Sequence, residues 1–391
     1  MNHNRFIRIN NFLDGLQHQS EAAARNYDAT VFVALELSAS QWLIAANIPG
    51  SDKISKRAVP AWGVDTLVGV LKRWRAQAAK RAGGPVKVAV IQEAGRDGFS
   101  VHRLLEESGV ESWVVDPASI AVDRRKRRVK TDRIDVEKLL QTLMAWARGE
   151  RLVCSMVRPP TVAQEDDRRL SRERGRLKKE RDQHVIRVKS LLALHGIAGY
   201  EPIRRDRRAR LEALRTPAGR LLPPRAKAEI VRELERLEMV AAQLVDVEKE
   251  RDAAITSSDG GVALERLRAI GPEFASVLTL EAFFRNFSNR RQVAAYSGLA
   301  PAPWQSGGIN RDQGISKAGN PRLRRMMIEA AWMWLRYQPD SALSRWFRAR
   351  VGDAKGRLRR IMITALARKL LVALWRYATQ GVVPEGAVFK A

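Results

Sequence analysis

Residues 31–45 read Val31-Phe32-Val33-Ala34-Leu35-Glu36-Leu37-Ser38-Ala39-Ser40-Gln41-Trp42-Leu43-Ile44-Ala45, and their pattern decides how the first third of the chain folds. Val31, Val33 and Leu35 alternate with Phe32, Ala34 and Glu36 in a β-rich run; Ser38-Ala39-Ser40 turns the chain, and Trp42-Leu43-Ile44-Ala45 carries it back. This is a hairpin signal. A third short strand is expected near Lys56 to Val59. Val64 to Lys80 has helical spacing in Leu67, Val68, Leu71 and Trp74, and Gly83-Gly84-Pro85 ends it. Val86 to Ile91 reads as a buried strand running into Glu93, followed by a helix over Val101 to Ser108 and a fifth strand, Ser112 to Asp116, closed by Pro117. Three strands, helix, strand, helix, strand predicts an α/β domain.

The segment that follows, residues 124–140, passes from a dense cationic run into the start of a helix. The cations are Arg124, Arg125, Lys126, Arg127, Arg128, Lys130 and Arg133, and the helix carries Asp132 and Asp135. Residues three apart share a helix face, so both aspartates can address one site beside a phosphate held by the basic run. An aspartate near a helix start also satisfies orphan N–H groups and complements the dipole, and spacing alone favours that plainer role. Glu36 and Glu93 change the weighing, because a carboxylate in an apolar strand is costly to bury unless paired or metal-bound. Strand ends and a helix face can converge while far apart in sequence. Four such carboxylates suit two-metal phosphodiester chemistry, with paired ions about 3.5–4 Å apart, and hard oxygen donors suit Mg²⁺. The basic run can be a solvated face, but its density beside carboxylates points to phosphate.

Composition points the same way. Seventy Lys plus Arg against 43 Asp plus Glu leave +27 on 391 residues, an excess that a fold does not need and a polyanion neutralises. The length suits two or three domains. No run of 18 apolar residues is present, and Met1 to Asn11 lacks the apolar centre of a signal peptide, so a soluble cytoplasmic protein without membrane partners is expected. The single cysteine, Cys154, excludes an internal disulfide and a cysteine-cluster zinc site, and the five histidines show no metal-ligand spacing.

Residues 1–27 read as a loose leader, and 28–157 as the α/β domain. Beyond Arg158-Pro159-Pro160 the chain becomes charged, with Leu170, Leu177, His184 and Leu191 at sevens and Ile230, Leu234, Leu237, Ala241 and Leu244 stepping by four and three. Two long helices in an antiparallel or intermolecular coiled coil over 158–258 are expected. Ser257-Ser258-Asp259-Gly260-Gly261 reads as a flexible joint. The helical region 259–391 opens with Leu267 to Leu278, where Gly271-Pro272 gives the shape of a helix-hairpin-helix whose backbone N–H groups can hold a phosphate. Tyr296 to Gly308 reads as a Gly/Pro-rich loop, and apolar helices are expected up to Tyr337 and over Leu358 to Tyr377. In that loop Ser306 precedes Gly307-Gly308, which permit close backbone approach to a ligand. Serine there is usually a turn residue, and the residues alone do not separate it from Ser297 or Ser316. Trp332 and Trp334 are expected in the core rather than as base-stacking platforms.

The combination is more specific than its parts. Glu36, the run Ile91-Gln92-Glu93-Ala94-Gly95, Lys130-Thr131-Asp132-Arg133-Ile134-Asp135, Gly298-Leu299-Ala300-Pro301 with Gln305-Ser306-Gly307, and Ile315-Ser316-Lys317-Ala318-Gly319-Asn320 together resemble the DEDD-type insertion-sequence transposases, the serine-bearing, bridge-RNA-guided recombinases. The resemblance spans Val31 to Tyr377. It implies an RNase H-like (resolvase-type) N-terminal domain, a coiled-coil middle, and a helical C-terminal transposase domain. It further implies that Glu36, Glu93, Asp132 and Asp135 hold Mg²⁺, and that Ser306 attacks a DNA phosphate to give a covalent phosphoserine. Arg124 to Lys130, Gly271 and Lys317 are then expected to contact nucleic acid. The partners implied are the element ends and target DNA, an element-encoded guide RNA, and further copies in a homodimer or tetramer, at the prokaryotic nucleoid. The family's first carboxylate is usually Asp; here Glu36 reaches one methylene further. Two other readings compete: a resolvase-like nuclease that hydrolyses DNA junctions with the tetrad alone, and a nucleic-acid-binding remnant with impaired catalysis.

Overall fold

The computed structural model describes residues 29–95, 98–120, 131–256, 259–306 and 309–390; the leader 1–27 and the basic run Arg124 to Lys130 lie outside the described residues. The chain divides into two compact units, Met1–Pro160 and Thr161–Ala391.

In the first unit, β1 (Thr30–Glu36), β2 (Gln41–Asn47), β3 (Ser55–Pro60), β4 (Lys87–Glu93), β5 (Glu111–Val115) and β6 (Met156–Val157) form one sheet in the order β3-β2-β1-β4-β5-β6. β1 is antiparallel to β2 and parallel to β4, and β4 is parallel to β5. Period-2 alternation builds two cores, one on each face. Val31, Val33, Leu35, Val88 and Val90 pack with Leu67, Val70 and Leu71 of helix α1 (Val64–Ala82) and with Val101 and Leu105 of α2 (Ser100–Glu107). Ala34, Ala45, Ala89, Ile91 and Val115 pack with Val136, Leu139, Leu140 and Leu143 of α3 (Asp132–Ala147). Three alanines on the second face leave room for the α3 backbone to lie close.

Two details of this unit depart from the sequence reading. β5 stops at Val115 because Asp116 turns the chain, its carboxylate accepting from the Ala118 N–H at 3.0 Å. β6 was not anticipated, since two residues carry no alternation to read.

In the second unit, α4 (Val162–Ala193) and α6 (Pro224–Thr256) run antiparallel within one chain. Polar contacts descend α4 as they ascend α6: ion pairs of Arg187 with Glu229 at 2.6 Å and Arg174 with Glu248 at 2.6 Å, and between them a hydrogen bond of the His184 ring to Glu233 at 2.7 Å. The seam contains Leu177, Val188, Leu191, Ile230, Leu234, Leu237, Val240 and Leu244. Leu170 and Ala241, expected in it, are only partly buried. Near its start α4 packs on the C-terminal elements rather than on α6, so Arg168 and Ser171 are buried there instead. A short α5 (Arg207–Ala213) fits between, its Leu211 sharing the core of the helix pair.

The remaining elements are α7 (Asp259–Glu265), α8 (Pro272–Ser276) continuing as a π-helical turn over Val277–Phe283, α9 (Arg290–Ser297), a hairpin of β7 (Pro301–Ser306) and β8 (Ile309–Ile315), α10 (Pro321–Tyr337), α11 (Ala342–Val351) and α12 (Arg357–Gln380). They enclose one core that includes Leu264, Leu267, Ile270, Leu278, Met327, Trp334, Leu366 and Leu370.

Several expectations need correction here. Of the expected joint, Asp259, Gly260 and Gly261 are helical, with burial of Leu264 opposing the ~1 kcal/mol each glycine costs a helix, while Ser257 and Ser258 lie outside the described residues. The Gly/Pro-rich loop is in part a hairpin: Pro301 and Pro303 are tolerated in a two-stranded ribbon, where a register shift falls between them. Trp334 is core as expected, with its indole N–H donating to Ser341 Oγ at 2.9 Å, but Trp332 is 36% exposed. Among the described residues no helix is long and apolar enough to cross a membrane.

Candidate active site

The last registered pair between β1 and β4 is Leu35 with Gln92, so Glu36 and Glu93 follow as the next residues on adjacent parallel strands, whose spacing is about 4.8 Å. Alternation fixes their face. Glu36 is in phase with Ala34, and Glu93 with Ala89 and Ile91, the residues against which α3 packs. Both glutamates are half-buried, and both are engaged in polar interactions. The two strand-borne carboxylates are therefore neighbours at the carboxyl edge of the sheet, on the side covered by α3.

Asp132 and Asp135 occupy the first turn of α3. Neither is the cap. Thr131 holds that position in extended conformation, with its hydroxyl accepting from the Ile134 N–H at 3.4 Å; in the first turn the two aspartates still complement the helix dipole, the other half of their plainer role. The helix is oriented by an ion pair between Glu137 and Lys56 on β3 and by Trp146 against Trp113 on β5, ring centroids 4.6 Å apart. Asp132 is exposed and Asp135 half-buried. Among the described residues no three His, Cys, Asp or Glu side chains converge as a metal-binding group; the glutamate pair and the aspartate pair are each assembled, and the four are not drawn into one cage. Mg²⁺ is ordinarily held by one or two carboxylates, waters and substrate phosphate rather than by an all-protein shell. A pair of adjacent oxygen-donor side chains fits that chemistry. Cys154 does not compete as a nucleophile or soft ligand: it is buried, and burial pushes its thiol up despite Arg151.

In the second unit, Ser306 ends β7 and pairs with Ile309 at the tip of the hairpin. Its neighbours Gly307 and Gly308 lie outside the described residues. Of the two other serines, Ser297 is fully buried, its hydroxyl donating to Ala294 O at 2.8 Å and accepting from the Leu299 N–H at 3.3 Å. A hydroxyl so enclosed cannot meet a DNA phosphate. Ser316 is exposed at the base of the hairpin, its N–H bound to Ala300 O at 2.8 Å.

That base is firmly built. Lys317 N–H donates to Gly298 O at 3.2 Å, and Asn320 N–H to Tyr296 O at 2.7 Å. Gly298 and Gly319 have φ of +67° and +91°, and a Cβ on either would fall within 2.2 Å of a backbone oxygen across the crossing, so only glycine fits. Lys317 is exposed and itself adopts φ +58°. Beneath lies Glu281, 1% exposed, gripped by Arg172 through two bonds of 2.7 and 2.9 Å and by the Asn320 amide at 3.2 Å. Burial raises the Glu281 pKa, but the Arg172 hydrogen bond and charge, Asn320 and Arg168 outweigh it and hold the group below the usual carboxylate range. Glu281 is the residue that sequence reasoning missed. Its signal was a lone acid within the apolar run Val277 to Phe284. Gly271, expected to present backbone to phosphate, stands before α8 with Pro272 at the first helical position, and no side chain caps that helix.

A cationic chain with carboxylates gathered at a mixed-sheet edge, and a serine on a braced hairpin in a second unit, has the composition of an enzyme that handles phosphodiesters. The model of the transposase IS116/IS110/IS902 family matches residues 262–346. The y4rJ protein of Sinorhizobium fredii, described as a transposase, is 53% identical over 377 residues, covering 92% of this chain and 94% of the relative. A transposase for insertion sequence element IS1328 from Yersinia enterocolitica is 27% identical over 259 residues, 65% and 73% of the two chains. One for IS1111A from Coxiella burnetii is 25% identical over 298 residues, 74% and 78%. The chain belongs to the IS116/IS110/IS902 family of transposases.

Proposed function

We propose that this transposase cuts and rejoins DNA through a serine nucleophile, Ser306, with Glu36, Glu93, Asp132 and Asp135 as ligands for Mg²⁺ in an RNase H-like domain. The observation that carries the reading is the side-by-side placement of Glu36 and Glu93 on the sheet face covered by the helix of Asp132 and Asp135. The strand order β3-β2-β1-β4-β5, with its antiparallel first half and parallel second half, supports the RNase H-like assignment. Residues 28–157 are then the catalytic domain, 158–258 the coiled-coil region and 259–391 the domain that carries the nucleophile.

In this mechanism the Ser306 Oγ attacks phosphorus, a serine–phosphate ester forms, and the bond from phosphorus to the leaving strand oxygen breaks. The serine proton passes to a nearby base, and the leaving oxygen gains a proton. Reversal with a different strand oxygen as nucleophile rejoins the DNA and frees the serine. Bound Mg²⁺ would stabilise the charge that builds on the phosphate oxygens. Arg124 to Lys130 and Lys317 hold backbone phosphates, and Gly271 offers its backbone N–H. An element-encoded RNA pairing with donor and target supplies sequence choice, which relieves the protein of reading bases. The carboxylates belong to one unit and the serine to the other, and a homodimer or tetramer, as the resemblance implies, is the proposed assembly.

The test is a reaction containing the protein, RNA transcribed from the element's flank, donor and target DNA, and Mg²⁺. Recombinant product together with a protein–DNA adduct supports the proposal; cleavage without any adduct supports the junction-nuclease reading, and binding without cleavage under any divalent metal supports the remnant. A further expectation concerns the cationic surface. DNA affinity measured by anisotropy should fall by orders of magnitude between 50 and 200 mM salt if about six or more phosphates are contacted, whereas a flat response would remove the basic run as the grip.

A further inference from the structure

We infer that the surface shared by α10 and the start of α12 is a docking site for single-stranded DNA, with Trp332 as the stacking platform. This rests on the reading of the chain as a DNA transposase but not on the identity of its nucleophile. Trp332 and Tyr337 are 36% and 47% exposed on α10, with Met333 beside them at 37%, whereas Leu323, Met327 and Trp334 of that helix are buried. Aromatic faces left in water have lost the burial that usually places them. Each is accompanied by a guanidinium: Arg359 Cζ lies 5.2 Å from the Trp332 centroid, and Arg336 Cζ lies 5.4 Å from that of Tyr337. The first contact joins the two helices into one patch. Leu358 and Ile361, 44% and 48% exposed and three residues apart, share a neighbouring face of the same turn of α12.

Charge selects the partner. Residues 352–361 carry Lys355, Arg357, Arg359 and Arg360 against one acid, Asp353. The first turn of α12 holds no acidic residue, so the helix dipole adds to the positive field rather than opposing it. Exposed aromatic and aliphatic surface within a cationic field matches unpaired bases on a phosphate backbone, since every base has a face to stack and every linkage a charge to neutralise. Duplex DNA keeps its base faces stacked and would use only the cations. RNA is distinguished from DNA by contacts to the 2′-hydroxyl; the pair Trp332 and Arg359 suits an unpaired strand of either kind, and the reading of the chain as a DNA transposase selects DNA. Unpaired DNA arises where strands are cut and exchanged.

The experiment measures binding of the full-length protein, without metal or RNA, to a fluorescent 15-nucleotide oligo-dT, to a duplex of the same length and to oligo-U. Trp332→Ala and Arg359→Ala are compared with wild type, and circular dichroism confirms that both fold. Trp332→Ala is expected to weaken oligo-dT binding about tenfold and duplex binding less than twofold; Arg359→Ala weakens both. Unchanged oligo-dT affinity, or equal losses on single strand and duplex, overturns the stacking platform. Preference for oligo-U that is lost in Trp332→Ala overturns the assignment to DNA. Because no catalysis is read, failure here is distinct from failure to form a serine adduct.

Discussion

Glu93→Gln is expected to lower DNA strand cleavage by two to three orders of magnitude while leaving DNA binding and the melting temperature nearly unchanged. The reasoning follows from position. Glu93 ends β4, half-buried beside Glu36 and in phase with Ala89 and Ile91 on the face that α3 covers. Glutamine preserves the volume and hydrogen-bonding reach of the side chain but removes the charge that a divalent cation requires. Losing a ligand that supports several kcal/mol of transition-state stabilisation costs rate tenfold for each 1.36 kcal/mol. Cleavage measured across a Mg²⁺ titration checks this. Near-wild-type cleavage by Glu93→Gln at saturating Mg²⁺ would remove the carboxylate pair from the reaction.

The second large effect is on stability. Glu281→Ala should destabilise the second unit by about 1.5–3 kcal/mol, because it removes the buried acceptor of two Arg172 hydrogen bonds, although the Arg172 guanidinium is itself 57% exposed, and takes from buried Arg168 its largest opposing charge. The same group gives a pH dependence with a definite sign. Its folded-state pKa is depressed below the usual 4.5, so its contribution is present above that value and is lost as pH falls through the depressed one. Thermal melts of wild type should therefore decline steeply below about pH 4.5. In Glu281→Gln this component disappears and the melting curve is flatter in acid. A Glu281→Ala variant as stable as wild type would show that the base of the hairpin is held by Gly298, Gly319 and the backbone bonds alone. Reduced adduct yield in Glu281→Gln, at temperatures where it remains folded, is expected from loosening of the segment from which β7 and β8 rise.

The first unit was legible almost strand by strand because its strands are buried on two faces and its breaks carry glycine and proline. Val31 to Glu36 and Val86 to Glu93 each state both their length and their phase. Phase is what places Glu36 and Glu93 on the face of α3, a relation that required only alternation and the parallel pairing of β1 with β4. The helical seams were legible as spacing but not in extent. Leu170 fits the heptad, yet α4 at that point packs on the C-terminal elements, and Arg168 takes the buried position through its contact with the Phe284 ring at 4.7 Å. Local spacing cannot report which neighbour a helix has. The hairpin of β7 and β8 was obscured by its prolines, although a Gly-Gly pair between two extended segments is itself a hairpin signal. The network of Glu281, Arg172 and Asn320 joins residues 109 and 39 positions apart. No window of sequence contains it, and only the isolated acid among apolar neighbours hinted at a buried partner.

The account turns on which atom becomes joined to DNA. The most direct measurement traps the protein–DNA adduct from the reaction with donor, target, RNA and Mg²⁺, digests it with protease and nuclease, and locates the nucleotide-bearing peptide by mass spectrometry. The account predicts a single phosphoester on Ser306, absent in Ser306→Ala and formed in Ser316→Ala. An adduct on Ser316 or on any other residue, or one that persists in Ser306→Ala, would contradict it.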